Sequence, residues 1–128
     1  MSEVVSEIEI LIVDDNATFR KLLRQILEHI GFKNITEADD GSSALKFLES
    51  KPIQLVITDW NMHQMSGLEL VKKIRENPVW TRVKIIMVTV NNSQKEVTAA
   101  IRAGANHYIF KPFEREVILQ TIYKVFNS

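Results

Sequence analysis

Five residues of this chain have the types and placement to do chemistry together: Asp14, Asp15, Asp59, Thr89 and Lys111. Each lies at or just after the end of a short apolar run. Ile8 to Val13 leads into Asp14-Asp15, Ile53 to Thr58 into Asp59, Lys84 to Val90 carries Thr89, and His107 to Phe110 precedes Lys111. Carboxylates gathered in one cleft repel and raise one another's pKa unless a cation intervenes. An all-oxygen site with few carboxylates, completed by water, suits Mg²⁺ or Mn²⁺ and does not suit zinc. A hard divalent ion beside a free carboxylate, a hydroxyl and an ammonium is equipped to handle a phosphoryl group. The cations neutralise its equatorial oxygens, the hydroxyl bonds one of them, and the carboxylate attacks phosphorus. Asp59, central in the set, is the expected nucleophile.

Such a set works only if the chain brings its members to one edge. Leu55 to Ile57 is apolar on both faces, as a buried parallel strand requires. Phe19, Leu22, Leu23, Ile26, Leu27 and Ile30 recur at helical spacing and are expected in the core, with Asn16 or a neighbouring acid as a cap and Gly31 as a stop. Asn34 to Ala38 reads as a second strand. Asp39-Asp40-Gly41, which turn and cap chemistry explains, starts a helix with Ala44, Leu45 and Leu48 inward. A helix with Leu68, Val71 and Ile74 follows Gly67 and ends near Asn77-Pro78. Ser93 caps a helix from Gln94 to Ala103 with Gly104 after it, and Glu114 to Phe126 is the last helix. Five strands alternating with five helices predict an α/β domain, a three-layer, doubly wound parallel sheet. Ligands of such sheets bind at the carboxyl ends of the strands, where strand order reverses. All five residues fall at those ends.

Composition narrows the classes. The chain has 128 residues, 45% hydrophobic and 25% charged, with zero formal net charge. That fits one ordinary globular domain, expected over 8–128 behind an N-terminal extension at 1–7. A balanced charge offers no field for nucleic acid or an anionic membrane. Cysteine is absent, so there is no thiolate nucleophile, thiolate metal site or disulfide. The acidic start does not read as a signal peptide, and no apolar run approaches the roughly 20 residues of a membrane span. A cytoplasmic domain is expected. The four glycines form no phosphate-binding loop, and His29, His63 and His107 are too scattered for a ligand set. Arg20, Lys21 and Arg24 read as the solvated face of their helix rather than a nucleic-acid stripe.

Val-Asp14-Asp15, Ile-Thr-Asp59-Trp-Asn-Met, Val-Thr89 and Lys111-Pro112-Phe113, in this order and spacing, resemble the receiver domain of two-component response regulators, most closely its single-domain, CheY-like members. The resemblance spans about Ile8 to Phe126. It implies strand order 2-1-3-4-5 and an Asp59 that accepts a phosphoryl group from a sensor histidine kinase or a phosphotransfer protein. It further implies Mg²⁺ held by Asp15, Asp59 and the backbone carbonyl of Asn61, with Asp14 acting through water. Thr89 and Lys111 would bind the acyl phosphate oxygens. Tyr108 would turn inward as Thr89 moves, altering a protein-binding face between Val90 and Phe126. On the same grounds Lys111-Pro112 is a candidate cis bond.

The chain departs from that pattern at three places. Met62-His63-Gln64-Met65-Ser66-Gly67 lacks the proline and the second acid usual there, which predicts a looser loop with one more backbone N–H. Val90 stands where smaller residues are common and is expected to slow entry of small phosphodonors. Asn61 and Asn91 flank the path to Asp59 and, by the resemblance, tune hydrolysis. Two other classes compete. A Mg²⁺-dependent phosphatase would need an acid where Asn61 stands, and a flavodoxin-like cofactor binder would have its phosphate repelled by the strand-end acids. Turnover of a phosphate ester would mark the first, a bound yellow flavin the second.

Overall fold

A computed structural model describes residues 7–127 of the chain. The expected extension therefore lies, apart from Glu7, outside the described residues, as does Ser128. The elements are β1 (Glu9–Val13), α1 (Ala17–Ile30), β2 (Asn34–Ala38), α2 (Gly41–Ser50), β3 (Leu55–Thr58), α3 (Gly67–Glu76), β4 (Lys84–Thr89), α4 (Gln94–Ala103), β5 (His107–Phe110) and α5 (Arg115–Phe126). A short 3₁₀ turn, Pro78–Trp80, joins α3 to β4. All strand pairs are parallel, in the order β2-β1-β3-β4-β5. The order reverses at β1, beside β3, which is the expected crevice.

Strand alternation sorts the core into two layers, because successive side chains point to opposite faces. Leu11, Val13, Val56, Ile85 and Met87 meet α2, α3 and α4 through Ala44, Leu70, Val71, Ile74 and Ala100. Ile10, Ile12, Leu55, Ile57, Ile86 and Val88 meet α1 and α5 through Leu23, Leu27, Ile118 and Ile122. Four of the five helices begin on a side-chain cap, and α5, which follows Glu114, has none. Asn16, Asp40 and Ser93 accept hydrogen bonds from the N–H groups of Phe19, Ser43 and Glu96. Ser66 and Glu69 form a reciprocal capping box at α3, a signal that Ser66-Gly-Leu-Glu69 spells in the chain.

Two core expectations need correction. Leu22 sits at the edge of the α1 stripe and is half exposed, because the 100° spacing places it beyond the sheet's reach. In α3 the inward apolar residues are Leu70, Val71 and Ile74, and Leu68 is only partly buried.

Candidate functional site

The register of the sheet sets the acids side by side. Val13 pairs with Thr58, so the next residues, Asp14 and Asp59, leave neighbouring strands at one level. Asp14 N–H donates to the Ala38 carbonyl at 3.2 Å and Asp59 N–H to the Val13 carbonyl at 3.1 Å, holding both backbones to the sheet past its formal end. β5 brings up Lys111, whose N–H donates to the Thr89 carbonyl at 2.9 Å. Its ammonium then reaches Asp14 Oδ2 at 3.1 Å and Asp59 Oδ2 at 3.3 Å. Residues up to 97 positions apart thus meet around one cation. The Lys111-Pro112 peptide is cis, as expected.

The other oxygens of these acids are also engaged. Asp14 Oδ1 accepts the Asn16 N–H at 2.9 Å, and Asp59 Oδ1 accepts the Trp60 N–H at 2.6 Å. Burial raises the Asp14 carboxyl above its ordinary pKa, against the opposing pull of Asn16 N–H and Lys111. Asp15 is more open, with its Oδ2 accepting the His63 N–H at 3.2 Å and lying 3.6 Å from His63 Nε2. That N–H exists because position 63 is not proline. The loop expected to be looser is therefore tethered to the acid pair. Asp15, Trp60, Asn61, Met62, His63 and Ser66 line a shallow cleft of ≈ 380 Å³ beside it.

Gly67 lets the turn after Asp59 close. Its N–H donates to the Trp60 carbonyl at 2.8 Å, and a Cβ there would fall on the Asp59 carbonyl oxygen. Across the mouth, Asn61 Nδ2 donates to Asn91 Oδ1 at 3.0 Å. Thr89 is fully buried, and its hydroxyl accepts the Asn91 N–H at 3.4 Å. Tyr108 is half-buried, with its hydroxyl donating to the Asn91 carbonyl at 2.6 Å. Burial, with the negative charge of Glu96 and Asp59, pushes its phenol up to about 12.

Sequence reasoning missed the support around this rim. Arg20, expected on a solvated face, donates to the Asp14 carbonyl at 2.6 Å and pairs with Glu37 at 3.2 Å. Arg24 pairs with the other oxygen of Glu37 at 2.6 Å. Phe19, read only as core, faces the Lys111 ammonium. Of Asp39-Asp40-Gly41, which turn and cap chemistry explains, Asp40 is the residue that caps α2, its carboxyl held below the ordinary range by Ser43.

An oxygen-only cluster with more acid than base fits a hard cation. Among the described residues no three His, Cys, Asp or Glu side chains gather around a metal position. A site here would therefore use Asp15 and Asp59 with backbone and water oxygens, the pattern Mg²⁺ accepts. No described helix is long and apolar enough to cross a membrane.

Comparison with known proteins agrees with this geometry. Residues 10–123 match the family model of the response regulator receiver domain. The chain is 38% identical over 119 residues to the chemotaxis protein CheY of Pseudomonas aeruginosa, covering 93% of this chain and 96% of that one. It is 36% identical to chemotaxis protein CheY1 of Helicobacter pylori, covering 94% and 98%. Among solved structures, a response regulator of Chloroflexus aurantiacus superposes with a TM-score of 0.89 at 27% identity, covering 95% of this chain and 99% of that one. CheY4 of Vibrio cholerae superposes with a TM-score of 0.87 at 29% identity, covering 93% and 98%. On its sequence, its strand order and its rim of acids, the chain belongs to the response regulator receiver domain family.

Proposed function

We propose that the chain is a phospho-accepting switch in which Asp59 receives a phosphoryl group from the phosphohistidine of a sensor histidine kinase or phosphotransfer protein. The observation that carries this reading is Lys111 Nζ bridging Asp14 and Asp59 on a rim that still holds a surplus of carboxylate. A carboxylate oxygen of Asp59 attacks phosphorus, the P–N bond breaks, and the departing imidazole nitrogen takes a proton from water. The product is an acyl phosphate. Lys111 and the Thr89 hydroxyl are assigned to its oxygens, each neutralising or bonding charge that moves outward from the carboxylate. Asp15, Asp59 and the Asn61 carbonyl are assigned to Mg²⁺, or Mn²⁺, with Asp14 acting through water. When bound, the ion supplies electrostatic neutralisation of the incoming phosphoryl oxygens. The site is expected to work in the cytoplasm.

Output is assigned to the face between Val90 and Phe126, where Ile101, Phe110, Val117 and Tyr123 are exposed large apolar residues. Tyr108 links that face to the site through the Asn91 carbonyl, and a phosphoryl group drawing Thr89 would bias the two arrangements of this segment.

Incubation with a small acyl phosphate and Mg²⁺, followed by intact mass, is expected to add one phosphoryl group to the wild type and none to Asp59→Asn. Equal labelling of both would end this reading. Tyr108→Ala is expected to keep phosphorylation and to lose phosphorylation-dependent protein binding. Loss of both together would remove Tyr108 from the switch.

A further inference from the structure

The Lys111 ammonium has a third neighbour besides the two carboxylates. Its Nζ lies 3.7 Å from the centroid of the Phe19 ring. A lysine ammonium carries three donors and is strongly hydrated. Here the side chain is 16% exposed, two oxygens lie on one side, and an aromatic face covers another. The negative face of the ring stands where water would otherwise sit.

Phe19 is held in that place from both ends. Its N–H donates to Asn16 Oδ1 at 3.0 Å, and the Asn16 N–H donates to Asp14 Oδ1 at 2.9 Å. Asp14 Oδ2 in turn accepts from Lys111, so the contacts close a ring from the acid through the helix cap and the aromatic back to the ammonium. On the other side Phe113, two residues after Lys111, meets Phe19 edge-to-face with centroids 5.7 Å apart and planes at 86°.

We infer that Phe19 is a positioning residue for phosphoryl transfer, its ring face seating the Lys111 ammonium between Asp14 and Asp59. The inference rests on Asp59 being the phosphoryl acceptor. As a phosphoryl group arrives, Lys111 must exchange a carboxylate oxygen for a phosphoryl oxygen. A ring face is a broad, weakly directional partner, so the ammonium turns toward the new oxygen without leaving it. An aliphatic side chain would leave that donor unpartnered or admit water, and the ammonium would need reordering at each transfer.

The test replaces Phe19 in the full chain by mono-, di- and trifluorophenylalanine, which keep the ring's shape while draining its face of negative charge. Intact mass gives the initial rate of Asp59 phosphorylation by a small acyl phosphate with Mg²⁺. Proton NMR gives the shift of the Lys111 methylene beside the ammonium, which a ring face moves upfield. The rate is expected to fall with each fluorine, to about a tenth with three, in variants whose denaturation curves show them fully folded under the assay conditions. Phe19→Leu is expected to return the methylene to an ordinary shift, and Phe19→Trp to keep the rate. A rate that is flat or rises across the fluorine series in a chain that does phosphorylate would leave Phe19 as packing alone. A wild type that takes up no phosphoryl group would overturn the acceptor reading and this role with it.

Discussion

The two rims of the sheet each hold a partly buried cation, and they treat it in opposite ways. At the carboxyl end Lys111 faces two carboxylates, with a third, Asp15, on the same edge. Near the amino ends of β4 and β5, Arg75 donates to the carbonyls of Gly104 at 3.0 Å, Trp80 at 3.3 Å and Thr81 at 3.4 Å, and to Asn106 Oδ1 at 3.0 Å. Burial lowers the Arg75 pKa, and neutral oxygens satisfy its fork of donors. Asn106 also accepts the Ile85 N–H at 2.8 Å, so Arg75 staples α3 to the start of two strands. The lesson is one of balance. A cation whose neighbours use up its donors and add no charge is complete in itself. The Lys111 rim is incomplete: it gathers more negative charge than its ammonium offsets, and self-repulsion of that kind persists only where a further cation or a reacting group relieves it.

Paired substitutions test that contrast most severely. Lys111→Met is expected to slow phosphorylation of Asp59 by about a hundredfold, the scale of losing one charge-stabilising group at a reacting oxygen. Arg75→Met is expected to leave that rate unchanged while costing about 3 kcal/mol of stability in urea unfolding, because it abandons several carbonyls at once. Were Arg75→Met to slow the reaction as much as Lys111→Met while still folded, the separation between a staple and a working cation would fail.

Asp14 offers a finer cut at the same contrast. Its folded pKa is raised above the ordinary 3.8 by burial, so the native state binds more protons than the unfolded chain just above that value. Unfolding free energy therefore falls as pH climbs from 3.8 through the folded pKa, and at neutral pH the protein bears the full cost of the ionised, desolvated acid. Asp14→Asn is expected to raise stability at pH 7 by about 1 kcal/mol and to remove that decline. Lys111 keeps Asp59 as a partner, so the ammonium is not stranded. Urea unfolding between pH 4 and 7 measures both. A variant less stable than wild type at pH 7 would show that the Lys111 pairing outweighs desolvation, and the rim would then be as self-sufficient as Arg75.

How far such a contrast could be read from the sequence depends on the range of the interactions. Caps are local, so Ser93 was legible outright and the caps at Asn16 and Asp39-Asp40 to within a residue or two, and β-branched runs between turns gave the strands. The strand ends gave Asp14, Asp15, Asp59, Thr89 and Lys111, because in a parallel sheet those ends share an edge whatever the loops do. What lay hidden was pairing between distant positions. Nothing near Arg20 in the chain announces Glu37 or the Asp14 carbonyl, and its helical spacing alone puts it on the polar face. Phe19 fits the apolar stripe so well that its second neighbour, 92 positions on, leaves no trace in the periodicity. The tether from His63 to Asp15 was half visible: the missing proline exposed a donor, but where that donor goes is a fact of the folded loop.

The smallest effect concerns what stands at the mouth of the open rim. Val90 directly follows Thr89 and is 61% exposed, while the Asp59 side chain is only 11% exposed. If the rim is limited by its charge, trimming a neutral side chain at its edge changes nothing. If approach is limited by bulk, Val90→Ala opens the way. The expected outcome is a several-fold faster phosphorylation by small donors, with the unfolding midpoint unmoved because the removed methyls lie in solvent. Progress curves by intact mass against donor concentration decide it, since relief of steric crowding lowers the concentration giving half-maximal rate and leaves the Lys111-dependent maximum in place. A Val90→Ala chain no faster than wild type would show that entry to Asp59 is governed by the electrostatics of the rim alone.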